Sequence, residues 1–192
     1  MIGVANTNVV KAPDKIVIKK SERYREILSV LARHGIGVFD DEFIKHQVGM
    51  EKTNRQLMWH GMLLFLLGLL TGLLEQRFTN MRMGVAAHLE GLMNGTFLVA
   101  LGAIWSQVRL AQPAKATAYW GTLYATYANW LFTTLAAVFG TAASTPIASA
   151  GHRGEPWQES LVGAGFLSVA IVIIASVVLI LWGLPARGVQ HV

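Results

Sequence analysis

Residues 84–108 read GVAAHLEGLMNGTFLVALGAIWSQV, a run in which Glu90 is the one Asp, Glu, Lys or Arg. At about 1.5 Å of rise per residue, roughly 20 helical residues cross a hydrocarbon core of about 30 Å, so the run is long enough to span a membrane. It nowhere alternates apolar and polar residues with period two, which points to a helix and away from a barrel strand. Three further stretches share its character. Leu57–Leu74 carries no charge, Ala116–Gly151 is uncharged throughout with a span expected to end near Gly140, and Ser160–Ala186 is uncharged and rich in Val and Ile. The sequence therefore predicts an all-α integral membrane protein, with a bundle of four transmembrane helices over residues 57–186.

The distribution of charge supports that division. The chain is 53% hydrophobic and 14% charged, where an ordinary soluble domain is about 25% charged. Residues 1–57 hold 17 of the 27 charges and the remaining 135 residues hold 10, so residues 1–56 are expected to form a short polar extension. Within it, SERYREILSVLARHG (residues 21–35) predicts an amphipathic helix, capped by Ser21 and stopped by Gly35. Residues 187–192 form a tail. With no cysteine, thiolate catalysis, iron–sulfur clusters and covalent c-type haem are excluded. The net charge of +5 reads as membrane-surface bias and not as nucleic-acid binding, because no dense Lys/Arg run accompanies it. Lys52, Arg55, Arg109, Lys115 and Arg187 flank the spans on one side, and Arg77, Arg82 and Arg153 on the other. The excess predicts both termini in the cytoplasm, with the bundle in a bacterial inner membrane.

The chemistry is expected in AHLEGLMNG, residues 87–95. An ionisable group at mid-membrane costs roughly 2.5–3.5 kcal/mol on insertion scales and marks a functional site by default. With successive residues about 100° apart around a helix, Gly84, Gly91 and Gly95 fall within about 60° of His88, while Glu90 and Asn94 share a different face. The glycines suit close helix packing, or else leave room for a flat macrocycle beside an imidazole. In the first span His60 is either a second imidazole of the site or an interfacial anchor beside Trp59, and the anchor reading is preferred. The third span carries YWGTLYATYANWLFTT, residues 119–134. Its Thr122, Thr126, Asn129 and Thr133 fall within about 60° of one another, opposite the aromatic residues Trp120, Tyr124 and Tyr127. Asn129 and Asn94 are expected to form a polar pocket between spans. GxxxxGK[ST], HExxH and GxSxG are all missing, and no Asp follows Asp41, which argues against a Ser–His–Asp hydrolase.

The runs RMGVAAHLEGLMNGTFLVALGAIW (82–105), TYANWLFTTLAAVFGT (126–141) and TPIASAGHRGEPWQE (145–159) resemble the hydroxylaminobenzene mutases. More distantly the chain resembles the styrene oxide isomerases, which share a His followed six residues later by Asn-Gly. The resemblance covers about residues 57–186. It implies a haem b protein, a homotrimer of four-helix subunits with haem near the subunit interfaces. The family's axial His falls on His88, its catalytic Asn on Asn94, and the Asn of the third span on Asn129. Where the isomerases carry a catalytic Tyr one turn after that Asn, this chain has Thr133, which implies a different substrate. Glu90 replaces a small residue of the isomerases and fits the mutase pattern.

The reaction so implied turns an arylhydroxylamine into an ortho-aminophenol, with no net electron transfer and ferric iron held by His88 acting as a Lewis acid. Asn94 and Asn129 would orient the substrate, Glu90 would shuttle a proton, and Tyr127 would contribute a hydroxyl. An epoxide isomerase of the same fold is the nearest alternative. A membrane b-type cytochrome with His60 and His88 as two axial ligands ranks next, and a proton-coupled exporter relying on Glu90 last.

Overall fold

The computed structural model describes residues 41–184, and among them every regular element is helical. Helix α1 spans Asp41–Leu74, α2 Met81–Ile104, α3 Gln112–Phe139 and α4 Pro156–Gly183, with single 3₁₀ turns at Glu75–Arg77 and Trp105–Gln107. The expected amphipathic helix at 21–35 and the tail 187–192 lie outside the described residues. The change in composition at residues 56–57 is not a break in the backbone. EKTNRQL, residues 51–57, contains neither Gly nor Pro, so nothing interrupts the ladder as α1 passes from polar to apolar sequence.

Three helical stretches are long and apolar enough to cross a membrane: Glu51–Arg77, Met81–Gln107 and Pro156–Gly183. Helix α3 is as long but less apolar, and its position explains why. It touches all three other helices. Tyr127 and Trp130 reach His60 and Thr71 of α1, Asn129 reaches Glu90 of α2, and Tyr124 reaches Ser168 of α4. Where a helix packs against several neighbours, the faces that meet them favour small side chains. Accordingly its buried residues are Ala118, Thr122, Ala125, Thr126, Ala128, Thr133, Ala136 and Ala137, with Leu123 as the one large side chain. The paired positions run antiparallel from α1 to α2, α2 to α3 and α3 to α4.

The seam between α1 and α2 is built on glycine. Gly61 and Gly68 lie against Gly95 and Gly91, and a Cβ added at Gly61 would stand 2.6 Å from the Gly95 carbonyl oxygen. No side chain fits there, so the two backbones meet directly.

Two polar clamps hold the ends. Asn80, fully buried, caps α2 by accepting from the Met83 N–H at 3.2 Å, and its Nδ2 donates to the carbonyls of Ala148 and Ser149 at 2.9 and 3.0 Å. Gly140 ends α3 at φ 68°, a left-handed conformation that favours glycine. The loop that follows folds onto Glu159, whose carboxylate accepts the N–H groups of Ala142, Ala143 and Gly154 at 2.8–3.1 Å.

Candidate functional site

The polar side chains of the bundle interior sort into three groups. The first centres on Glu90. Its Oε2 accepts from Asn94 Nδ2, four residues along the same helix, at 3.1 Å, and from Asn129 Nδ2 across on α3 at 2.5 Å. The i, i+4 spacing on α2 and the packing of α3 against it bring all three together. Asn94 and Asn129, expected to face one another between spans, are thus brought together with a carboxylate as their hub.

The second group is His88 on the α1–α2 seam. Its Nδ1 lies 2.8 Å from the Gly68 carbonyl oxygen. A carbonyl can only accept, so Nδ1 carries the proton and Nε2 keeps its lone pair. Among the described residues Nε2 has no hydrogen-bond partner. The ring rests over Gly72, where a Cβ would come within 2.6 Å of Nδ1. A histidine whose one nitrogen donates to a backbone carbonyl is fixed in orientation, the usual arrangement of an imidazole that binds a metal.

The third group pairs His60 with Tyr127. The phenol donates to the His60 carbonyl at 3.2 Å and lies 3.2 Å from His60 Nδ1. The Tyr127 hydroxyl is thus engaged with α1, away from the Glu90 cluster. His60 precedes Gly68, where His88 docks, by eight residues along α1, about 12 Å of helix. The two imidazoles thus sit at different levels of α1.

Two further expectations change. Gly91 and Gly95 do not border an open slot beside His88: α1 fills it, with Gly68 against Gly91 and Phe65 against Gly95. Gly84 faces Phe78 and Glu75 in the same way. Close packing is what these glycines permit here, because the α1 backbone occupies the space a macrocycle would need. The Thr face of α3 is likewise not part of a pocket. Thr122, Thr126 and Thr133 each donate to a carbonyl one turn back, at 2.7, 2.9 and 2.7 Å, as a hydroxyl without another partner does in an apolar setting. Among the described residues no group of three or more His, Asp or Glu converges on one point.

His88 and the Glu90 cluster occupy opposite edges of the outward face of α2. Measured across the side that carries exposed Val85, Leu89 and Met93, Glu90 stands about 200° around the helix from His88 and Asn94 about 240°. Two contacts left little trace in the sequence. The partner of His88 is a backbone carbonyl, which no side-chain pattern announces. Asn80, however, precedes α2 directly, and the N-cap preference for Asn is the signal that marks it.

The family model for styrene oxide isomerase matches residues 53–185. Hydroxylaminobenzene mutase HabB of Ectopseudomonas oleovorans is 44% identical over 137 residues, covering 69% of this chain and 84% of that protein. Hydroxylaminobenzene mutase HabA of the same organism is 41% identical over 125 residues, covering 65% of this chain and 93% of that protein. No solved structure matches. The matched residues take in the Glu90 cluster, His88 and the helices that hold them, and the chain belongs to the styrene oxide isomerase family, as an isomerase similar to hydroxylaminobenzene mutases.

Proposed function

We propose that this chain is a membrane-bound mutase converting hydroxylaminobenzene and related arylhydroxylamines into ortho-aminophenols. The observation that carries the reading is the 44% identity to a hydroxylaminobenzene mutase across 84% of that protein. The reaction is an isomerisation. The N–O bond breaks, a C–O bond forms at the ortho carbon, the ortho carbon loses its proton and nitrogen gains one, so no external oxidant or reductant enters.

Asn94 and Asn129 bind and orient the hydroxylamine, and the apolar walls of the bundle keep bulk water from capturing the ring. His88 would hold haem b through Nε2, a role that fits a ring whose Nδ1–H is tied to Gly68. Ferric iron bound there would supply a Lewis acid for the N–O oxygen. Because His88 and the carboxamides sit on opposite edges of α2, a site using both combines His88 of one subunit with the Glu90 cluster of a second, which favours an oligomer, and the family resemblance makes that oligomer a homotrimer. A half-buried carboxylate at membrane depth also needs protein, not lipid, over its open side. In this reading α3 is the fourth transmembrane helix, sheltered by its neighbours, and both termini lie in the cytoplasm of a bacterial inner membrane.

Protein extracted in detergent and given hydroxylaminobenzene should yield 2-aminophenol. Substrate labelled with ¹⁸O at the hydroxylamine should keep the label. Absence of aminophenol rejects the mutase reading, and loss of label to water rejects an intramolecular transfer. A Soret band that disappears in His88→Ala supports haem; a colourless, fully active preparation removes it. The family model's own name supports a second reading, isomerisation of an aryl epoxide, tested with styrene oxide in the same preparation.

A further inference from the structure

The Glu90 cluster contains a directional feature that its composition alone does not convey. Both carboxamides give an N–H to the same oxygen, Glu90 Oε2. A carboxylate oxygen accepts and cannot donate, so it fixes which end of each amide faces it. In a carboxamide the oxygen and nitrogen diverge by about 120°, and each Oδ1 is therefore turned away from Glu90. Neither Oδ1 has a hydrogen-bond partner among the described residues, and neither is among the buried polar atoms left without one, which comprise only Asn54 Oδ1. Both carbonyl oxygens are thus unpaired among the described residues without being fully buried.

We propose that Glu90 is a positioning residue that sets substrate class: by drawing in the Nδ2 groups of Asn94 and Asn129, it presents their two Oδ1 acceptors to the substrate, which selects molecules that donate hydrogen bonds. An arylhydroxylamine offers an O–H and an N–H. An aryl epoxide offers only an acceptor oxygen, which would meet two carbonyl oxygens head on and leave them unpaired. A site built around polar partners discriminates strongly against an analogue that lacks the matching group. The inference rests on the mutase reading, and it assigns Glu90 a role in orientation where the sequence suggested a proton shuttle.

Two substitutions separate those roles. Glu90→Gln removes the charge but keeps a side-chain oxygen of the same reach that can accept both N–H groups. Glu90→Leu keeps the bulk and removes the acceptor. Each variant and the wild type would be assayed for kcat and KM on hydroxylaminobenzene and on styrene oxide. Glu90→Gln should stay within about fivefold of wild type on hydroxylaminobenzene. Glu90→Leu should lose about 100-fold in kcat/KM on it, with a raised KM, while the ratio of styrene oxide to hydroxylaminobenzene turnover rises at least about tenfold. If Glu90→Gln is as inactive as Glu90→Leu, a proton-transfer role replaces the proposal. If Glu90→Leu lowers both substrates equally, or neither, the proposal fails. Wild type that makes no aminophenol instead defeats the underlying mutase reading.

A measurement on wild type alone keeps the test alive should Glu90→Leu not fold. 1-Phenylethanol, which has an O–H, should inhibit hydroxylaminobenzene turnover at least about tenfold more strongly than styrene oxide, a molecule of similar size without one. Equal inhibition overturns the proposal.

Discussion

Replacing Gly72 with alanine tests the orientation of His88 without touching the histidine. The new Cβ would stand 2.6 Å from Nδ1 and 3.0 Å from Cε1 and Cγ, where ordinary contact begins at 3.4 Å. The ring must recede by about 0.8 Å, the difference of 3.4 and 2.6. That stretches its 2.8 Å bond to the Gly68 carbonyl toward about 3.6 Å, beyond hydrogen-bonding range. The lost bond costs about 1 kcal/mol, and displacing the ring from its rotamer adds about 1 kcal/mol. Together these weaken the histidine as a metal ligand by roughly 30-fold, inside the range of about 10–100-fold seen when a ligand's supporting hydrogen bond is removed. Helix propensity works the other way, since alanine for glycine in a helix favours folding by about 1 kcal/mol. A loss therefore cannot be put down to a weakened α1. The assay is haem titration of apoprotein in detergent, followed at the Soret band, with Gly49→Ala as control because nothing lies within 4 Å of a Cβ there. If Gly72→Ala binds haem within about twofold of wild type, the Gly68–His88 bond does not prepare the ligand and the argument from tautomer to iron is refuted.

Other perturbations read other parts of the bundle. Asn80→Ala removes a cap and the donor to two loop carbonyls and should lower stability in detergent by about 3 kcal/mol. Asn80→Ser, which retains the cap oxygen, should recover about 1 kcal/mol of it; equal melting of the two would show that the cap contributes nothing. Gly91→Val would drive a side chain into the backbone of Gly68 and should abolish recovery of folded protein from membranes, whereas near-normal yield would contradict the glycine seam. Tyr127→Phe removes the bonds to His60 and should cost about 1 kcal/mol of stability while kcat stays within about threefold; a collapse of kcat with unchanged melting would return Tyr127 to the catalytic set.

The long uncharged runs sufficed to place the helices, because a stretch of about 20 residues without charge has few alternatives in or out of a bilayer. They also singled out Glu90 and Asn94, since polar groups stand out against an apolar background and i, i+4 spacing puts both on one face. Helical periodicity likewise separated His88 from that pair. What these rules could not supply is which neighbour each face meets. The glycines around His88 suited a helix or a macrocycle equally well, and only the packing of α1 against α2 shows a backbone there. The Thr face of α3 was legible as a polar face, but periodicity reports direction and not hydrogen-bond partners, and each hydroxyl turned out to serve its own helix. Even the modest apolarity of α3 became intelligible once it was seen to contact all three other helices. The sequence by itself determined the helices and the polar residues they carry, because hydrophobic length and period are local properties. Only the tertiary structure decided that Glu90 gathers Asn94 and Asn129, and that the Gly68 carbonyl sets the tautomer of His88, because both depend on contacts between helices that local sequence does not encode.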